Sequence, residues 1–168
     1  MAEKFVVRSA TPADAATVAW HRARMFQDMG QLPSPLFEAF RKRSEERIRD
    51  LISRSQYLGW LASAENAPDN IIAGAGVQLR HALPHPAEDA TKFAEGRQAI
   101  ILNVFTEPEW RRKGLARLLL ERIIDWSRQE KLDRLLLHAS AEGRSLYERL
   151  GFVMTNEMKL VETSQSKE

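Results

Sequence analysis

The run Arg111-Arg112-Lys113-Gly114-Leu115-Ala116 places three cations and a glycine between a strand-like segment, Ala99 to Phe105, and a long amphipathic one. A strand that ends in a short turn and feeds a helix N-terminus leaves backbone N–H groups there without helical partners. Those groups point outward, and the helix dipole favours an anion beside them. The neighbouring cations add attraction, and Gly114 lets a ligand come close to the backbone because it has no Cβ. The chemistry implied is the binding of an anionic group, a phosphate being the foremost candidate.

A second stretch, Ser140 to Phe152, carries a different kind of signal. Ser140 suits a helix N-cap. Gly143 and Tyr147 are one turn apart on one face, and Leu146 and Leu150 share an adjacent, core-facing one. A glycine inside a short helix costs about 1 kcal/mol relative to alanine. Close approach of a ligand alongside Tyr147 would account for it.

Taken together, Glu107-Pro108-Glu109-Trp110-Arg111-Arg112-Lys113-Gly114-Leu115-Ala116 and Leu146-Tyr147-Glu148-Arg149-Leu150-Gly151-Phe152 resemble the GCN5-related N-acetyltransferase (GNAT) superfamily. The family's acetyl-CoA motif, Arg/Gln-x-x-Gly-x-Gly/Ala, is matched by Arg111, Gly114 and Ala116. Its later motif, Leu-Tyr-x-x-x-Gly-Phe, is matched by Leu146, Tyr147, Gly151 and Phe152. The resemblance covers about residues 98 to 153, and one helix plus one strand fit between the motifs.

The resemblance implies an acyl-CoA-dependent N-acetyltransferase that moves acetyl from acetyl-CoA to a primary amine by direct attack in a ternary complex. The alternative on the same fold is an acyl-CoA-binding module without turnover. It implies that the pyrophosphate rests on backbone amides of about Arg112 to Arg117, Leu115 and Ala116 included, with Arg111, Arg112, Lys113 and Arg117 as electrostatic helpers. The pantetheine arm would pair with Val104, Phe105 and Thr106, where two parallel strands splay apart. Ser140 and Gly143 complete the implied coenzyme site; Ser140 stands where many relatives have an asparagine, and Thr106 where a valine is common. Tyr147 is the implied catalytic acid for the departing thiolate, since a phenol with a pKa near 10 is protonated at neutral pH. An alkylamine is mostly protonated near neutral pH, so a base or a water chain is needed. Glu95, Glu107 and His138 stay open as candidates, as does water alone. Asn103, polar within an apolar strand, needs a hydrogen-bond partner if buried, and could then face the acceptor cleft.

The elements that must position these residues follow from periodicity and punctuation. Phe5 to Arg8 reads as a strand, and Thr11-Pro12-Ala13-Asp14 as the start of a helix ending near Gly30. A second helix spans about 35–54, its mixed charges reading as a solvated face. Tyr57 to Ala62 and Ile71 to Leu79 form a hairpin, and 81–96 is a long rim loop holding His81 and His85, which have no supporting ligands for a metal. A strand at about 98–105, a helix from 114 to 130, a strand at 132–138 covered on both faces, a short helix at 141–150 and one or two strands within 152–161 complete the order. This predicts an α/β fold: a mixed, mostly antiparallel sheet of six to seven strands with a splayed parallel pair and about four helices. Residues 1–161 form one domain and 162–168 a polar tail.

With 168 residues, 43% of them hydrophobic, the chain suits one domain with a sizeable core. A net charge of +2 gives no global field for nucleic acid, and the basic patch lacks interleaved aromatics apart from Trp110. The chain has no cysteine, which removes disulfides, thiolate chemistry and Cys-based zinc sites; no metal is expected. No apolar run reaches the roughly 20 residues of a membrane span. The expectation is a cytoplasmic protein whose partners are acetyl-CoA and an amine, with a homodimer consistent with the habit of relatives.

Overall fold

The computed structural model describes residues 3–161. They form two compact units, one up to His138 and one from Ala139. The order in the first is β1 (Phe5–Ser9), α1 (Ala15–Asp28), α2 (Phe37–Ser53), β2 (Tyr57–Ala64), β3 (Ala67–His81), β4 (His85–Pro86), β5 (Phe93–Ala94), β6 (Arg97–Thr106), α3 (Leu115–Gln129) and β7 (Arg134–Leu137). The second unit holds α4 (Arg144–Arg149). Among the described residues, no helix is long and apolar enough to cross a membrane.

Five strands make one mixed sheet in the order β1-β2-β3-β6-β7, antiparallel except for the β6–β7 pair. The mixed α/β fold with one parallel pair and four helices is therefore the one expected. Seven strands form among the described residues, but β4 and β5 build a separate small ladder within the rim loop. Its turn is held by Asp89 Oδ1, which accepts from the Thr91 amide at 3.1 Å and hydroxyl at 2.8 Å. The strands expected within 152–161 do not form. A strand needs a neighbour for its backbone groups; here the apolar residues Val153, Met154, Met158, Leu160 and Val161 all stay exposed. The predicted tail, 162–168, lies outside the described residues.

Local chemistry explains the element starts. Asp14 accepts from the Thr11 amide at 2.8 Å and from both guanidinium nitrogens of Arg8, at 2.8 and 2.9 Å. That box closes the entry to α1, one turn earlier than the helix itself. The two faces of the sheet then divide by the alternation of β2. Tyr57 and Leu61 join Ala15, Val18, Ala19 and Ile48 in a cluster beneath α1 and α2. Trp60, on the opposite face, meets Trp126 of α3 edge-on with centroids 5.5 Å apart. Leu115, Leu119, Leu120 and Ile123 bury the sheet-facing side of α3, while Arg122, which the periodicity puts on that side, is exposed. Leu135 to Leu137 are only half-buried, because β7 ends the sheet order and is not covered as a central strand would be.

Two glycines of β3 make the α1/α2 face concave. A Cβ on Gly76 would stand 2.1 Å from the Tyr57 hydroxyl, and one on Gly74 would stand 2.9 Å from His21 Nδ1. Both sit two residues apart on one face, across from Gly59 and Leu61 of β2. Large polar rings thus fill the space that small residues leave. Gly76→Ala forces the Tyr57 phenol out of its seat, with an expected loss of about 1–3 kcal/mol. A denaturant midpoint unchanged from the parent would refute this account of the trough.

Candidate functional site

The β6–β7 ladder runs only from Gln98–Arg134 to Ile101–Leu137. β6 continues to Thr106, so Leu102 to Thr106 have no β7 partner, while on the other side Phe105 and Thr106 still pair with Gly74 and Ala73 of β3. Between those pairings β6 carries one residue more than β3: Leu102 opposes Gly76 and Phe105 opposes Gly74. This is a bulge, and Asn103 in it is left-handed, with φ +58°. Val104, Phe105 and Thr106 are thus the end of a strand that is paired on one edge only.

From there the chain enters the cationic turn. Trp110 N donates to Glu107 O at 2.9 Å, and Arg111 N to Pro108 O at 3.3 Å. Arg112 is left-handed (φ +66°), as is Gly114 (φ +84°), the residue preceding α3. A non-glycine residue in that region is uncommon and marks a backbone held by its surroundings. Leu118 N donates to Gly114 O at 3.0 Å, so the amides of Leu115, Ala116 and Arg117 belong to the first turn, which lacks helical acceptors. Nothing lies within 4 Å of a Cβ placed on Gly114, so the approach to these amides is open.

The four cations divide by role. Arg111 donates Nε to Thr106 O at 3.0 Å and pairs with Asp28 at 2.7 Å, tying the turn to the end of β6 and the last residue of α1. Lys113 pairs with Glu3 at 2.8 Å and lies 4.5 Å from the Trp110 ring centre. Arg117 bridges to Glu121 at 2.7 Å along α3. Arg112 alone of the four has no carboxylate partner among the described residues. Arg111, expected as an electrostatic helper, is thus a brace of the turn.

In the second unit, Ser140 Oγ accepts from Gly143 N at 3.2 Å, as an N-cap would. Gly143 precedes the short α4 rather than lying inside it. A Cβ there would come within 2.7 Å of the Tyr147 ring. The glycine is accounted for by Tyr147 itself, which folds back over it, without invoking a ligand. Tyr147 also meets Phe152 edge-on at 6.2 Å, and burial raises its pKa, so the phenol stays protonated through neutral pH. Of the remaining candidates, Glu95 precedes β6 and is separated from Thr106 by the strand's length, roughly 30 Å. Glu107 directly follows Thr106, its amide donating to Ile72 O at 2.9 Å. His138 is the first residue past the parallel ladder and is exposed. Among the described residues no three His, Asp or Glu side chains are grouped to hold a metal ion.

The structure adds a polar network that sequence reasoning only half found. Asn103 is buried; its Nδ2 donates to the Tyr57 hydroxyl at 3.0 Å, and its Oδ1 accepts from Arg22 at 2.8 Å. Burial pushes the Tyr57 pKa up to about 12. The three residues line a cavity of about 400 Å³ on the α1/α2 side of β6, which also takes in Arg43 and Arg47. The expected partner for Asn103 therefore exists, and Asn103 does face a cavity. Arg22 could be read from the sequence as a cation suited to an anionic acceptor, but nothing local told that it or Tyr57 meets Asn103, since 81 and 46 residues separate them from it. Arg43 and Arg47, an i, i+4 pair of like charge, belong with the other charges of their helix to the expected solvated face; both are exposed and both line the cavity.

His21 is buried beside Phe105, ring centres 5.0 Å apart, and with Glu107 lines a second cavity of about 330 Å³. Burial lowers its pKa from 6.5 to about 4. The unfolded chain therefore binds a proton near pH 6.5 that the folded one refuses until about pH 4. Stability is full above pH 6.5 and falls as pH drops through that window, by on the order of 3 kcal/mol. A corresponding Tm decrease of roughly 6–12 °C is expected. A His21 ring-proton NMR titration midpoint near 6.5 would contradict it.

A sequence model of the acetyltransferase (GNAT) family matches residues 22–152. Comparison with curated proteins gives no match. Among solved structures, a GCN5-related N-acetyltransferase from Ralstonia eutropha JMP134 is 24% identical with a TM-score of 0.81, over 94% of this chain and 98% of that one. A predicted acetyltransferase from Clostridium acetobutylicum with acetyl-CoA is 24% identical with a TM-score of 0.77, over 95% and 96%. The glucosamine-6-phosphate N-acetyltransferase of Arabidopsis thaliana is 16% identical with a TM-score of 0.63, over 97% and 100%. Strand order, the half-paired end of β6 and the glycine-led start of α3 agree with the family match, and the chain belongs to the acetyltransferase (GNAT) family.

Proposed function

We propose that residues 1–161 act as one acetyltransferase domain that transfers acetyl from acetyl-CoA to a primary amine. The observation carrying this is the end of the β6–β7 ladder at Ile101, five residues before β6 delivers the chain to the open first turn of α3. An extended pantetheine arm can pair with the unpartnered edge at Val104 to Thr106, while its pyrophosphate takes the amides of the turn. Arg112, uncommitted to a carboxylate among the described residues, is the cation best able to add charge.

The chemistry is an addition followed by an elimination. The amine lone pair attacks the thioester carbonyl carbon, and a free N–H at the end of β6 stabilises the oxyanion. The C–S bond then breaks, the new amide bond stays, and the thiolate takes a proton from Tyr147. The amine's proton leaves to a base or through water; Glu107 and His138, both at the C-terminal ends of their strands, are the groups we retain for this. Glu95 we set aside because of its distance along β6.

Calorimetric titration of acetyl-CoA tests the donor. Binding is expected, and Gly114→Val should weaken it by about tenfold or more, through left-handed strain and a side chain over the amides. Absence of binding at millimolar ligand would overturn the reading. Tyr147→Phe should lower turnover by about 10²-fold or more with coenzyme affinity nearly unchanged; unaltered turnover would remove Tyr147 as the acid. Binding of acetyl-CoA without release of coenzyme A to any amine in a broad panel would favour the binding-module alternative.

A further inference from the structure

We infer that the acceptor is a small amine that also carries an oxyanion, a carboxylate or a phosphate, and that Arg22, Arg43 and Arg47 recognise that group in the cavity beside Asn103. The inference rests on the acetyltransferase reading above and adds the substrate class.

Charge is the first argument. Three guanidinium groups line the cavity of about 400 Å³, and no carboxylate does. On α2, Arg41 is neutralised by Glu38 and Glu45 and Arg49 by Glu45, and Arg54, just past its end, pairs with Asp50. Arg47 shares Asp50 at 3.2 Å, whereas Arg43 has no carboxylate partner among the described residues. Arg43 and Arg47 are exposed, as the solvated-face reading has it, and both also line the cavity.

The second argument is Arg22. It is half-buried, and its carbon atom Cζ lies 4.9 Å from the Phe26 ring centre and 5.9 Å from that of Phe40. Among the described residues its hydrogen-bonded partner is the neutral Asn103 Oδ1. Burial lowers its pKa, yet a guanidinium remains charged at any working pH. Set beside two aromatic rings and hydrogen-bonded to a neutral amide, the guanidinium has no carboxylate partner among the described residues and keeps further N–H donors for a ligand. An oxyanion is the ligand that compensates it, and the planar fork suits both carboxylate and phosphate.

Position is the third. The cavity is walled by Leu102 and Asn103, immediately before the Val104 to Thr106 edge assigned to the coenzyme arm. A volume of about 400 Å³ fits a small molecule. Ser44 and Gln78 supply neutral hydrogen-bonding groups for the remainder of it.

The test is a matched panel: amino acids against their amides, and aminoalkyl phosphates against the corresponding amino alcohols. Each is followed by coenzyme A release and by thermal shift of the acetyl-CoA-loaded protein. An anionic member is expected to exceed its neutral counterpart at least about tenfold in kcat/KM, and to raise Tm where the neutral one does not. The carboxylate and phosphate arms tell the two oxyanions apart. Arg22→Gln and the more exposed Arg43→Gln should each cut that preference about tenfold through KM, leaving acetyl-CoA affinity intact; the second guards against misfolding of the first. Lys42→Gln, outside the cavity lining, controls for simple charge removal. Equal use of neutral amines, or an anionic preference unmoved in both arginine variants, overturns the inference while the acetyltransferase reading stands. Failure of acetyl-CoA itself to bind is the separate result that sinks the parent reading.

Discussion

One extra residue in β6 organises this molecule. Because Leu102 opposes Gly76 while Phe105 opposes Gly74, the strand changes phase between them, and both Leu102 and Phe105 are turned to the α1/α2 side. A regular strand would alternate and send one of the two to the other face. The bulge also gives Asn103 its left-handed backbone, from which its amide reaches Tyr57 and Arg22. Strain of order 1 kcal/mol or more at such a residue persists only where surrounding contacts hold it. Here two hydrogen bonds on the side chain do so.

That arrangement needs room, and β3 provides it. Gly76 leaves space for the Tyr57 hydroxyl and Gly74 for the His21 ring, so the sheet carries polar rings where an ordinary core would have aliphatic side chains. Burial then settles their protonation: Tyr57 stays a phenol up to about pH 12, and His21 stays neutral down to about pH 4. Neutral rings and one guanidinium thus line the side of β6 that leads to its half-paired end. The same strand joins an edge paired on one side only with a bulged flank that lines a polar cavity.

Much of this was legible beforehand, for reasons that are local. Helix starts at Thr11 and before Leu115, the hairpin about Glu65 and the apolar stripe of α3 rest on contacts within a few residues, which spacing reports directly. The open first turn of α3 was legible for the same cause, since backbone amides of a first helical turn need no distant partner. Two local readings nonetheless shifted. Gly143 is small because Tyr147 lies over it, and Arg111 is spent on Asp28 and Thr106 O. In both cases the residue type was informative, but its partner was a side chain of the chain itself. The apolar residues of 152–161 form no strand, because a strand-like composition does not supply a neighbouring strand.

By itself the sequence determined the order of elements, the glycine-led start of α3 and the resemblance carried by the two motifs. These depend on backbone geometry and on periodicities of two and 3.6 residues, which are properties of neighbours in the chain. Only the tertiary structure decided that Arg22, Tyr57 and Asn103 meet and that Arg43 and Arg47 line the same cavity. Those outcomes depend on strand register and on a single inserted residue. A shift of one position reverses which face a side chain occupies, and no pattern in a single strand records where its partner will begin.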